Sequence, residues 1–192
     1  MILLSRRKSL TALLTGAASI SMVSGGRSAP VPSAGGLVVL TVGGLVGAPN
    51  RGQFDAARDR FFDHHNLSFE KARTFGLTDL LAFPQQEVTA ADGGSAIGYK
   101  GPLLEDVLTA ASPMPGAKTV RFFALDGYAA EIALTDSRMQ RWILAMETGG
   151  KPFGIGDFGP LYAMRQLAPN EKRTDEEAAK WVFSIYYIEL AA

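Results

Sequence analysis

Gly154-Ile155-Gly156-Asp157-Phe158-Gly159 has the G-x-G-x-x-G spacing through which backbone amides can cradle a pyrophosphate. That chemistry needs a strand before the loop and a helix after it. Here Pro152 precedes the segment and Pro160 follows it, so it reads as an irregular loop and not as a nucleotide cradle. His64-His65 holds the only two imidazoles of the chain. Neighbouring side chains diverge in helix and strand alike, so the pair makes a poor joint metal site and reads as part of a surface loop. With no cysteine, and no serine in a G-x-S-x-G elbow, no nucleophile is visible. Asp175-Glu176-Glu177 follows Thr174 as a favourable helix start and not as an acid–base pair. What remains is the chemistry of binding. Asp126 and Tyr128 at one turn, and Asp157 and Tyr162 near another, each set a carboxylate acceptor beside an aromatic ring.

These residues need elements to position them. Leu37 to Val42 is a β-rich apolar run ended by Gly43-Gly44 and predicts a well-buried first strand. Asn50 to Asn66 is polar and charged and reads as a long excursion. Gly76 to Leu81 predicts a short helix begun at Thr78 or Asp79 and stopped before Pro84. Gln86–Ala91 and Ser95–Tyr99 flank Asp92-Gly93-Gly94 as a hairpin. Leu103-Leu104, Val107-Leu108 and Ala111 recur at helical spacing up to Ser112-Pro113. Thr119–Leu125 and Tyr128–Leu134 are strands around Asp126-Gly127. Thr135 or Asp136 then caps a helix carrying Met139, Trp142, Ile143 and Met146, which Gly149-Gly150 ends. Leu161–Leu167 and Trp181–Leu190 supply two more strands, with a helical turn opening at Thr174 between them. The sum is an α+β single domain, with a mixed sheet, flanking short helices and no internal repeat.

Composition sets limits. Hydrophobic residues make up 47% and charged residues 20% of the 192, which is enough apolar material for one sizeable core. Residues 1–29 read as a signal peptide, with Arg6-Arg7-Lys8 as the basic region, Leu10 to Val23 as the apolar one, and Arg27-Ser28-Ala29 as the cleavage end. Ser5-Arg6-Arg7-Lys8-Ser9-Leu10 is similar to a twin-arginine signal, with Ser9 where a bulky apolar residue is usual. This leader predicts a periplasmic or secreted protein, with residues 30–192 as the domain and no membrane insertion after cleavage. The leader takes Arg6, Arg7, Lys8 and Arg27 from the 19 bases and nothing from the 19 acids, so the remainder is acidic by four charges. That balance speaks against nucleic acid or anionic lipid as partner. Without cysteine, stability in an oxidising compartment rests on the core.

From Tyr99 onward, motifs follow one another in a telling order. Tyr99-Lys100-Gly101-Pro102-Leu103-Leu104-Glu105-Asp106-Val107-Leu108 is similar to an aromatic-x-Gly-x-Leu-x-x-x-Leu segment, and Asp126-Gly127-Tyr128 follows as an Asp-Gly-Tyr turn. Gly150-Lys151-Pro152-Phe153 precedes Gly159-Pro160-Leu161, with Phe153 in place of a leucine and Pro169 three residues late. Lys180-Trp181 leads to Ile188-Glu189. In this order the chain resembles the oxidoreductase molybdopterin-binding domain family, whose fold is sulfite-oxidase-like. In catalytic members of that family a cysteine thiolate from the segment before the first motif holds molybdenum. The corresponding stretch here, Phe83 to Tyr99, offers Gln85, Gln86, Glu87, Thr89, Asp92 and Ser95 instead. None is a soft sulfur ligand.

The resemblance is closest to small, cysteine-free, exported members that bind reduced pterins and report them to a membrane-bound signalling enzyme. It implies a non-catalytic pterin-binding protein whose partner is the periplasmic part of a membrane receptor. The alternative it leaves open is a molybdopterin-dependent oxidoreductase with a non-cysteine metal ligand, and a bare protein-interaction module is a third. A pterin is a flat heterocycle with a guanine-like donor and acceptor edge, so it needs a stacking face and a carboxylate. Asp126, Tyr128, Asp157 and Tyr162 are the candidates for these roles, with Gly159 and Pro160 in the adjoining segment. Lys180 comes from the resemblance, since matching lysines hold the anionic end of the cofactor; Lys100 and Arg165 carry weaker signals. Each has a plainer reading: Asp126 suits any tight turn, Tyr128 and Tyr162 suit a core, and Lys180 suits a solvated helix end.

Overall fold

The computed structural model describes residues 36–92 and 95–192. The expected leader and the Gly93-Gly94 turn pair lie outside the described residues. No helix among the described residues is long and apolar enough to cross a membrane.

β1 (Val38–Gly44) is buried from Leu40 to Gly43 and pairs in parallel with β11 (Ile185–Ala191). On its other side it pairs antiparallel with β2 (Arg73–Gly76). β5 (Thr119–Ala124) and β6 (Ala129–Ala133) extend the sheet beyond β11, giving the mixed order β2-β1-β11-β5-β6. The expected hairpin is present as β3 (Gln85–Asp92) and β4 (Ser95–Pro102), and it continues through β8 (Glu147–Thr148) and β9 (Lys151–Pro152) as a second sheet. A third, two-stranded sheet joins β7 (Trp142–Ala145) to β10 (Tyr162–Arg165).

Among the described residues, five short helices connect these strands. The 50–66 excursion contains α1 (Arg60–His64). In α2 (Leu77–Leu81) the expected acidic residue acts from the first turn, the Asp79 carboxylate accepting from the Gly76 amide at 2.8 Å. α3 (Leu104–Ala111) buries Leu104, Val107, Leu108 and Ala111, the stripe expected from their spacing, and stops where Ser112 turns left-handed at φ 56°. In α5 (Asp175–Lys180) the Thr174 hydroxyl accepts from the Glu177 amide at 3.2 Å, as its N-terminal sequence predicts.

The 135–150 region departs from expectation. α4 (Leu134–Met139) is short and starts one residue before Thr135, from an N-cap at Ala133. Arg141, at φ 51°, breaks it, and Trp142 to Ala145 continue as a strand with all four residues buried. A run covered on both faces has no alternation to mark it as β, which is why its spacing passes for helical. Gly149-Gly150 therefore turns the β8–β9 hairpin instead of ending a helix. The last strand also starts later than Trp181. Trp181 is the C-cap of α5, Val182 makes only a bridge to Ala163, and Ser184, at φ 55°, resets the chain before β11.

Adjacent residues of the mixed sheet go to opposite sides. Phe122 and Ile188 enter the main core with Leu40, Val42, Ile143, Leu144 and Met164, while Phe123 and Tyr187 join an aromatic cluster with Phe62 and Phe69 under the 50–69 excursion. Glycine is required where strands close on one another. A Cβ on Gly43 would stand in the Tyr187 ring, and one on Gly101 would overlap the Leu144 carbonyl.

Candidate functional site

The β5–β6 turn carries Asp126 and Tyr128 on the surface. One Asp126 carboxylate oxygen accepts from the Tyr128 amide at 2.9 Å, an Asx turn that fixes the loop. The other oxygen has no partner among the described residues. The Tyr128 ring is 45% exposed and its hydroxyl donates to the Ala179 carbonyl at 2.7 Å, joining the turn to α5. Between the turn, α5 and the segment that follows it lies a cleft of about 270 Å³ lined by Asp126, Tyr128, Ala178, Trp181 and Phe183. It pairs a free carboxylate oxygen with aromatic and apolar walls.

The second set of candidates sits in a different loop. Asp157 uses both carboxylate oxygens inside 154–159, accepting from the Gly154 amide at 3.1 Å and the Gly159 amide at 3.0 Å. The segment is the irregular loop that its prolines predict. Gly159 packs against the Gly154 carbonyl where a side chain would not fit, and the Gly159-Pro160 bond is cis. Phe158 stacks on Tyr162 with ring centroids 5.3 Å apart and planes 11° apart. Tyr162 is buried; its ring meets Trp181 at 6.4 Å, while Phe158 meets Phe183 at 6.2 Å. The structure thus brings Asp126 and Tyr128 together, places Phe158 and Tyr162 against the aromatic residues of their cleft, and keeps the Asp157 carboxylate out of the lining.

Lys180 ion-pairs with Glu176 at 3.0 Å on the exposed side of α5, and that contact raises its pKa. Lys100 pairs with Glu147 across the β4–β8 ladder. Arg165, a weak signal in the sequence, is instead the most engaged cation near the cleft. Only 8% exposed, it holds Glu171 through a two-pronged ion pair, and its Nε lies 2.8 Å from Glu177. The Arg165 contact, then the Ala168 amide, pull the Glu171 carboxyl down to about 2. Glu177 also accepts from the Trp181 indole at 2.9 Å. Trp181 and Phe183 are absent from the site as read from sequence. The available signal was the i, i+4 spacing of Glu177 and Trp181 at a helix end.

A larger hollow of about 600 Å³ lies beside Arg51, Arg58, Asp59 and Thr74. Its polar groups are largely spent on one another. Arg51 pairs with Asp59, and Asn50 bonds the Thr74 backbone through both side-chain atoms. Burial pushes the Asp59 carboxyl up, but the Asp55 amide and Arg51 outweigh it and hold it below its usual range. His64 is exposed, and His65 packs on Phe61 and Tyr186, so the pair does not converge on an ion.

The residues present do not fit a molybdenum centre of the thiolate type. The sequence has no cysteine, and no group of three His, Asp or Glu converges among the described residues. In the stretch expected to carry the ligand, Val88 and Ala90 of β3 are buried. Glu87 and Thr89 face outward, and the Gln85 amide is bonded to the Leu80 and Phe83 carbonyls.

No protein-family model matches this sequence, and no curated protein matches it. Among solved structures, the chain is similar to the sulfane dehydrogenase SoxCD from Paracoccus pantotrophus, with a TM-score of 0.54 and 18% identity. The likeness is one of fold. It covers 79% of this chain but only 37% of the SoxCD chain, so this sequence spans little more than a third of that structure's length.

Proposed function

We propose that this protein is an exported, non-catalytic pterin-binding protein that reports its ligand to a membrane signalling partner through that partner's periplasmic part. The observation that carries this reading is the cleft at the β5–β6 turn. The free oxygen of Asp126 is an acceptor for the amino and ring N–H edge of a reduced pterin, and Trp181, Phe183 and Tyr128 supply surfaces for its flat face. At about 270 Å³ the cleft is at the small end for ligand pockets, which suits a bicyclic heterocycle better than a large conjugated cofactor. The distant fold relation to a dehydrogenase, combined with the absence of any thiolate, is consistent with a binding scaffold that has lost metal chemistry. The basic, then apolar leader supports export.

The test is mass spectrometry and metal analysis of protein from its own host, followed by calorimetric titration with a tetrahydropterin under reducing conditions. Reduced pterin without molybdenum, and at least a tenfold loss of affinity in Asp126→Asn, are expected, since a hydrogen bond to a charged group contributes about 1.5–3 kcal/mol. Molybdopterin with stoichiometric molybdenum would instead establish the oxidoreductase alternative. Neither ligand, with no titration signal, would leave the interaction-module reading.

A further inference from the structure

The two tryptophans of this chain are treated in opposite ways. Trp142 is fully buried in the core and its indole N–H has no hydrogen-bond partner among the described residues. Trp181, at the cleft, is held from several directions. Its N–H donates to Glu177 at 2.9 Å, the Arg173 guanidinium lies 5.2 Å from its ring centroid, and the edge of Tyr162 packs against it. Glu177 does not hold the indole alone. The same carboxylate oxygen lies 2.8 Å from Nε of Arg165, whose other nitrogens grip Glu171. Filling a core does not require such an arrangement, as Trp142 shows within the same fold. A buried guanidinium, itself anchored by a fork to Glu171, holds the Glu177 carboxylate beside it by an ion pair, and that carboxylate in turn accepts from the indole, so the chain of contacts sets the plane of a ring against which a flat ligand must stack.

We propose that Arg165, acting through Glu177, is a positioning residue that fixes the Trp181 indole as a stacking wall of the cleft lined by Asp126. This assignment rests on the reading of the cleft as a site for a flat pterin-like heterocycle. Arg165 touches no ligand in this scheme. Its effect reaches the cleft through the orientation of one ring, so it falls on affinity and on the local order of Trp181.

The experiment is fluorine NMR on protein labelled with 5-fluorotryptophan, with the two resonances assigned by Trp142→Phe, together with calorimetric titration of a tetrahydropterin. In the wild type, ligand is expected to shift the Trp181 resonance and leave that of Trp142 in place. Arg165→Lys keeps the charge but loses the guanidinium that reaches Glu171 and Glu177 at once, and Glu177→Leu removes the acceptor. Each is expected to broaden or split the Trp181 resonance and to weaken binding at least tenfold. Glu177→Gln, which keeps an acceptor oxygen, is expected to stay within threefold of wild type. Folded Arg165→Lys and Glu177→Leu proteins with a single sharp Trp181 resonance and wild-type affinity would overturn the proposal. A wild type that binds no tetrahydropterin would overturn the pterin reading instead, and the Trp181 line shape in the same variants would still decide whether Arg165 positions the indole.

Discussion

The Tyr128 hydroxyl donates to the Ala179 carbonyl oxygen at 2.7 Å, so the β5–β6 turn and the last turn of α5 are tied together across the mouth of the cleft. The carbonyl belongs to the final turn of a helix, where backbone acceptors lack intrahelical donors. Tyr128→Phe leaves that acceptor to solvent and is expected to lower stability by about 1 kcal/mol, read as a lower urea midpoint at unchanged slope. An unchanged midpoint would show that the bond contributes nothing.

Gly101 lies on β4 where the main chain meets β7, and a Cβ there would overlap the Leu144 carbonyl. Backbone cannot yield as a flexible side chain can. Gly101→Ala is expected to cost about 3 kcal/mol or more, whereas the same change at Gly52, where nothing stands within 4 Å, should be nearly neutral. Thermal melts of the two variants side by side make the comparison.

The elements legible in the sequence were those with a local signature. Asp126-Gly127 announces its hairpin, and the i, i+4 apolar spacing announces α3, because turn chemistry and one-sided burial write themselves into adjacent residues. Trp142-Ile143-Leu144-Ala145 does not, since α3, α4 and β4 all pack against it and no face is left polar. The site divides in the same way. Asp126 and Tyr128 were found through their turn, but Trp181 enters the cleft only because the chain folds back after α5. Arg165 becomes a buried anchor only because Glu171 and Glu177 return to it from further along the chain. Pairings of that kind leave no periodic trace.

Arg165 and Glu177 are nearly enclosed, with side-chain exposures of 9% and 13%. Arg165→Met leaves the Glu177 carboxylate without its cation and is expected to destabilise the fold by about 3 kcal/mol. Glu171 gives the pH dependence. Its carboxyl lies at about 2 in the folded protein, below its ordinary 4.5, so its contribution is fully present above pH 4.5 and is lost as pH falls through about 2. The stability gap between wild type and Glu171→Gln, measured by urea unfolding at a series of pH values, should therefore be constant above pH 4.5 and close below it. A gap that persists at pH 2 would contradict the assignment.

Tyr186 and Tyr187 are adjacent, yet both rings enter the cluster around Phe62, because a register shift between Ile185 and Tyr187 adds one residue to β11 opposite β5. Both hydroxyls are buried without a hydrogen-bond partner among the described residues. Removing an unpaired hydroxyl relieves a desolvation cost, so Tyr187→Phe is expected to raise stability by about 1 kcal/mol. Burial pushes the Tyr186 phenol up to about 12 from its ordinary 10.0, and Tyr187 higher still. The unfolded chain therefore ionises first. Stability is full below pH 10 and falls as pH rises from there through about 12. Tyrosinate absorbance should show a late phase that loses one proton in Tyr186→Phe and one in Tyr187→Phe. A late phase that neither variant alters would mean that these two rings are more open to water than the bulge and the cluster make them.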